Sequence, residues 1–492
     1  MTFIYLLYKI AKLFDIKNNL GKLIMKKEKY ELDLTECNVA KGLLILVIPM
    51  VLGNLLNVAY STVDAIWIGQ IVGSKGLAAV AVSFPLTMVV TAIASGISTA
   101  VNVLIGQYFG ANDKEYVTYI SKVSTTVSLI TSLTLAILGY VFAPNLMVFL
   151  NTSESIMEDA VNYFRISMIG FPFVFYYTFI SALLRGIGDT VRPLIFLIIS
   201  SVINIILDPL MIKGIYPFPA MGVSGAAYAT VFAQAVSVIV SMIYLKAKNS
   251  IIRVNPINFK FDLNITKLIL KIGLPFTFMQ LISSISWLFL NKVINSYGEL
   301  SSAAFAVAAR IDALSFVPLS AILSGIGTMA AQNIGANKMY RIKEIFSTGL
   351  KVSLTIALIM TALCMLFPDF IIKIFVQDDN IMPYMKSYIY AGVPSTILVA
   401  VIFSANGIIN ASGKTFIIMM FTLFTHFLIR IPVVYLLSPK IGLWGVWISM
   451  SVSNLFNMIF HLVYYYSNKW KKNANITLNS YSKDDNENKI IN

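Results

Sequence analysis

Two aspartates stand in apolar runs, where an ionisable group is expensive. Asp208 lies in "SSVINIILDPLMI" (200–212), with Asn204 one helical turn before it and Pro209 directly after. Asp64 lies in "LLNVAYSTVDAIWIG" (55–69), with Tyr60 one turn and Asn57 two turns earlier, on one helix face. A carboxylate at the centre of a membrane helix costs roughly 2.5–3.5 kcal/mol on insertion scales, and such a cost usually marks a use. Pro209 has no N–H, so the carbonyl of Ile205 loses its helix partner and becomes a free oxygen. Thr230, in "AYATVF", adds a hydroxyl. Carboxylates, amide, phenol, hydroxyl and carbonyl are the ligands of a small hard cation such as Na+, with Asp64, Asp208, Asn204 and Thr230 as the metal set. The same groups suit a proton, because desolvation and a neighbouring carboxylate both favour the protonated form. The plainer alternative is that Asp64 and Asp208 each end a helix, near Gly69 and Pro209, and are solvated by headgroups.

The elements that must hold these residues are membrane helices. The 492 residues are 58% hydrophobic and 12% charged, with mean hydropathy +0.79. A soluble domain carries about 25% charged residues. Apolar stretches of ~20 residues recur along the chain, continuous rather than alternating, which favours helices over barrel strands. Cys37 and Cys364 form no disulfide framework or metal spacing. His426 and His461 lie in separate runs and read as packing residues. The net charge of +14 fits basic loops of a membrane protein better than nucleic-acid binding.

Punctuation of the apolar runs predicts twelve helices, near 42–70, 77–105, 121–143, 160–184, 193–212, 222–245, 268–296, 303–330, 347–368, 384–411, 415–437 and 442–466. The expected organisation is an N-terminal segment (1–40), a first lobe (41–246), a linker (247–266), a second lobe (267–467) and a disordered tail (468–492). Residues 1–31 suit either an amphipathic surface helix or a start placed too early, with Met25 the first residue. Most of the 37 Lys and Arg fall in the tails and even-numbered loops. Lys246, Lys248, Arg253, Lys260, Lys267 and Lys271 share one loop, whereas Glu154, Glu158, Asp378 and Asp379 mark the other side. Both termini are therefore expected in the cytoplasm of a cell-membrane protein.

The second half repeats the first at an offset of about 225 residues. "IGQYFGAND" (105–113) answers to "AAQNIGANK" (330–338), "GIGDT" (186–190) to "ASGKT" (411–415), and Pro49 to Pro275. Six helices per half give both halves one orientation, related by a pseudo-two-fold axis along the membrane normal. The predicted class is thus an all-α polytopic membrane protein of twelve spans in two lobes, an arrangement suited to alternating access. "GIGDT" joins two membrane helices and lacks the Lys-Ser/Thr ending of a phosphate loop. No ATPase domain is present, so uphill transport would draw on an ion gradient. Lys292 also falls within a helix; Arg165, Arg310 and Arg430 are expected to snorkel or to pair structurally, and Asp312 to pair locally with Arg310.

The sequence resembles the multidrug and toxic compound extrusion (MATE) family, in its DinF-like branch. The resemblance covers roughly 40–466 and rests on "IPMVLGNLLNVAYSTVDAIWIG", the two Q-x-x-G-A-N loops, "LLRGIGDTVRP", "NIILDPLMI" and "MGVSGAAYAT", in the family's order. It implies export of mostly cationic organic compounds in exchange for Na+ or H+. It also implies that Pro49 bends the first helix and that Tyr60, Asp64, Asn204, Asp208 and Thr230 form a coupling site. The NorM branch has a glutamate in its seventh helix. "LILKIGLPFTFMQLISSISWLFLNKV" has no acidic residue, so ion coupling is expected in the first lobe only.

The expected function is secondary active multidrug export by a monomer in the lipid bilayer. It needs no cofactor beyond the transported H+ or Na+ and has no nucleic-acid partner. A flippase for a lipid-linked saccharide is the alternative; it would favour an Arg- and Lys-rich cavity, to which Arg165 and Arg310 could belong. A membrane-embedded enzyme would need a catalytic cluster that two dispersed histidines do not supply.

Overall fold

The computed structural model describes residues 33–476 except 249, 256 and 377; the segment 1–31 and the last sixteen residues of the tail lie outside the described residues. Among the described residues, eleven helices are long and apolar enough to span a membrane. They are α1 (Val39–Ile71), α2 (Ser74–Gly110), α3 (Lys114–Phe149), α4 (Glu154–Gly186), α5 (Val191–Lys213), α6 (Val223–Ala247), α7 (Leu263–Asn295), α8 (Glu299–Gly335), α9 (Arg341–Leu366), α11 (Thr415–Ile441) and α12 (Leu443–Tyr466). The twelfth span, α10, joins Met382–Ala391 and Ser395–Ala411 at a 44° bend. Pro394 stands at that joint, where its missing N–H breaks the helical ladder.

Several helices outrun the apolar stretches that announced them. The third was expected at 121–143 and spans Lys114–Phe149. Its polar first turn is held by Asp113, whose side chain accepts from the Tyr116 N–H at 2.9 Å. Asp262 starts α7 the same way, accepting from the Asn264 and Ile265 N–H groups at 2.8 and 3.1 Å. Its other oxygen accepts from the Tyr119 hydroxyl at 2.8 Å, tying the linker to α3. Burial opposes ionisation of Asp262, but the N–H groups of Ile265 and Asn264 and the Tyr119 hydroxyl outweigh it and hold the carboxyl below its usual range. The stabilisation is therefore present above the ordinary carboxylate pKa and is lost as pH falls through the lowered value.

The internal repeat is visible in the backbone. Asn112 and Asn337 end α2 and α8 with φ of 60° and 58°, a left-handed position that asparagine tolerates. Helices α1–α6 and α7–α12 form two lobes, and the core of the first also takes in Ile265, Ile269 and Ile272 of α7. The first centres on Phe164, Phe175 and Phe179. The second has Trp447 between Phe305 and Tyr388, ring centroids 6.2 and 5.2 Å away.

The lobes meet through glycine and amide contacts. A Cβ on Gly110 would lie 2.0 Å from the Gln332 carbonyl oxygen, and one on Gly335 would lie 1.8 Å from that of Gln107. Gln107 donates to the carbonyl of Ala411 at 2.7 Å, and Gln332 to that of Gly186 at 2.8 Å. These are equivalent bonds, exchanged across the pseudo-two-fold axis. Farther along, Asn54 donates to Ser320 at 3.2 Å and Thr277 to the Ala92 carbonyl at 3.3 Å. Among the described residues, the hydrogen bonds joining the lobes thus run from mid-depth to the end carrying α1's start and α12's end.

The disorder expected from residue 468 does not hold as far as 476. Trp470 is buried, Asn475 donates to the Ile334 carbonyl at 2.9 Å, and the Ile476 N–H donates to Gln107 Oε1 at 2.8 Å. An Asn-rich segment has little apolar surface of its own. It orders here because helix-terminal carbonyls and a buried amide offer it partners.

Gly335→Ala is expected to lower stability by roughly 1–3 kcal/mol through overpacking, read as a fall in melting temperature in detergent. Gly327→Ala, whose new carbon would meet only the Gly407 carbonyl at 3.6 Å, should leave that temperature unchanged. Asp262→Ala should cost about 1 kcal/mol in the same assay, and the deficit should shrink at acidic pH.

Candidate functional site

Asn204 and Asp208 are four residues apart on α5, so helical geometry alone brings them together. Both are fully buried, and Asn204 Nδ2 donates to Asp208 Oδ1 at 3.0 Å. The helix does not end at Pro209 but continues to Lys213. α1 likewise continues past Asp64 to Ile71. Neither carboxyl therefore caps a helix in headgroup solvent, and that alternative is excluded for Asp208 by its burial.

Thr230 on α6 is the hub. Its hydroxyl oxygen accepts from the Tyr60 hydroxyl at 3.1 Å and from Asn204 Nδ2 at 3.2 Å. Three helices of one lobe are thereby cross-linked at one atom. Thr230 thus holds Tyr60 and Asn204 together beside the carboxyls. Asp64, half-buried, faces Asp208 closely enough for the two carboxyls to share a hydrogen bond when one is protonated.

Asp64 Oδ1, Asp208 Oδ2 and Asn204 Oδ1 are buried and receive no hydrogen bond from the protein. All three are acceptors, so each needs a positively polarised partner. A proton or a small hard cation fits that donor set. No group of three or more His, Cys, Asp and Glu that could hold a metal occurs among the described residues, so the set does not suit a transition metal.

Asn57, on the same face of α1 two turns before Asp64, is exposed rather than enclosed with the carboxyls. Tyr163 on α4, which no sequence signal distinguished among 24 tyrosines, stands against both carboxyls. Asp312 does not pair with Arg310. It accepts a hydrogen bond from Tyr388 on α10, whereas Arg310 is exposed. Two residues apart on a helix, these side chains point to different sides. Arg165 lies over the Tyr140 ring at 5.2 Å, and Lys292 is exposed. Arg430 is buried rather than snorkelling.

Pro49 and Pro275, equivalent in the two lobes, also open the two matches of a family model. The model of the MatE family matches residues 49–210 and 275–436, once per lobe. The probable multidrug resistance protein YoeA of Bacillus subtilis is 28% identical over 448 residues, covering 88% of this chain and 95% of its own. A MOP superfamily transporter from Pyrococcus furiosus superposes with a TM-score of 0.83 at 26% identity, covering 90% of this chain and 98% of its own. A MATE protein in a bent conformation gives a TM-score of 0.84 at 26% identity, over 91% of this chain and all of that one. With both lobes matched in order, the chain belongs to the MatE family of multidrug and toxic compound extrusion transporters and is a multi-span membrane transporter rather than an enzyme.

Proposed function

We propose that this protein is a secondary active exporter that moves small organic, mainly cationic compounds outward in exchange for H+ or Na+. The observation that carries this reading is the convergence of Asp64 Oδ1, Asp208 Oδ2 and Asn204 Oδ1, three buried acceptors without a donor, in the first lobe. Two carboxylates held together repel, and a proton or Na+ between them relieves the repulsion. In this reading the cation enters from outside and discharges the pair.

The discharge acts on α1 because this helix meets both lobes, the second lobe through Asn54 and the residues before Pro49 and the coupling site farther on. The half before Pro49 packs on the other lobe, with Leu43 and Val47 against Gly325. The half after it carries Tyr60 and Asp64 into the coupling site. Pro49 removes the N–H that would bond the Ile45 carbonyl and lowers the cost of bending there. Bending α1 would repack the cleft between the lobes and release the substrate outward. Release of the cation inside resets the pair. Coupling requires that ion and substrate prefer different states, since a ligand that binds both equally shifts nothing.

The basic loops favour cytoplasmic termini, and with them a boundary of lobes at 41–246 and 267–467 around a cytoplasmic linker. With the termini there, the lobe-to-lobe hydrogen bonds lie on the cytoplasmic side, which supports an outward-facing reading.

In proteoliposomes, wild-type protein should drive efflux of ethidium under an imposed pH or Na+ gradient. Asp208→Asn and Asp64→Asn should each lower gradient-driven efflux at least about tenfold, since neither variant retains the charge that the cation discharges. Wild-type efflux indifferent to both gradients would sink the antiporter reading, and normal efflux in both variants would move the coupling site elsewhere. Pro49→Ala should retain ethidium binding in detergent yet slow gradient-driven efflux severalfold; unchanged turnover would remove α1 bending from the cycle.

A further inference from the structure

The second lobe buries a cation that nothing in it neutralises. Arg430 is 4% exposed and ends the π-helical stretch Phe424–Arg430 of α11. Its Nε donates to Ser453 Oγ at 2.9 Å, Nη1 to Ser286 Oγ at 3.1 Å and Nη2 to Asn454 Oδ1 at 3.4 Å. These partners come from α7 and α12, and all are neutral. Among the described residues no ion pair includes Arg430. Half-buried Asp312 of the same lobe is engaged elsewhere, with Tyr388.

A guanidinium offers five N–H donors, and three bonds leave two unused. An unpaired buried charge is among the most expensive groups in a low-dielectric interior. A tie between three helices needs donors but no net charge, so hydrogen bonding alone does not account for a buried guanidinium. Half-buried Asn454 connects the cluster to the lobe surface. His426, buried one turn before Arg430, lies close to it. π-Helical turns recur at functional sites because they re-aim side chains.

We propose that this cluster binds an anionic group of the transported molecule, a carboxylate or phosphate, with Arg430 supplying the charge and Ser286, Ser453 and Asn454 positioning it. The proposal rests on the exporter reading and deepens it. The first lobe takes the coupling cation, the second holds the substrate's anionic end, and zwitterions and organic anions join the substrate range.

The test uses the full chain in detergent, with carboxyfluorescein as the anionic probe and ethidium as the cationic one, both read by fluorescence polarisation. Wild type should bind carboxyfluorescein. Arg430→Gln should weaken that binding at least about tenfold, Arg430→Lys should keep most of it, and neither should change ethidium affinity appreciably. A wild type that does not bind carboxyfluorescein, or an Arg430→Gln variant that binds it equally well, overturns the proposal. If Arg430→Gln does not fold, benzoate should raise the melting temperature of wild type and fail to do so in the Ser286→Ala, Ser453→Ala double variant; equal stabilisation of both is equally fatal. Binding needs no gradient. Loss of carboxyfluorescein binding with intact ethidium efflux removes the anion site alone, and the reverse pattern removes the antiporter reading alone.

Discussion

Hydrocarbon offers no hydrogen bonds, so a membrane protein must satisfy its polar groups internally, and this constraint organises the whole molecule. Most hydroxyls within the helices obey it locally. Ser121, Ser124 and Thr125 of α3 donate to carbonyls one turn back, at 2.8, 2.6 and 2.6 Å. Against that background two clusters carry the chemistry. In the first lobe, Asp64, Asp208 and Asn204 each bury an acceptor without a donor. In the second, the Arg430 guanidinium is buried among neutral partners.

The two lobes nevertheless share one scaffold. Gln107 and Gln332 make the same bond across the axis, to Ala411 and Gly186, and Gly110 and Gly335 allow the same close approach. These contacts use backbone atoms and small residues, which tolerate divergence elsewhere. The duplication has therefore kept its joint and changed the chemistry inside each half. "NIILDPLMI" places a carboxylate where "FTHFLIRIPVVYLL" has a guanidinium nearby.

α1 is the element that connects the chemistry to the joint. One helix carries Leu43 and Val47 against the second lobe and Tyr60 and Asp64 into the first-lobe site. A change of charge at one end is mechanically linked to packing at the other, and Pro49 stands between them. Thr230 adds rigidity on the site side by fixing Tyr60 and Asn204 together.

The sequence by itself determined the helices, the repeat and the pair Asn204–Asp208. Hydrophobic length sets the number of spans, and a spacing of four residues sets which side chains share a face. It also marked Asp64 and Tyr60, because charged and polar groups in apolar runs are few. Only the tertiary structure decided the rest: Asn57 left exposed, Tyr163 brought to the carboxyls, Asp312 bound to Tyr388 rather than beside Arg310, and Arg430 enclosed among serines. Periodicity describes a helix about its own axis but not its rotation against its neighbours. That rotation is set by which small residues let two backbones approach, and it alone decides whether a buried charge meets a partner.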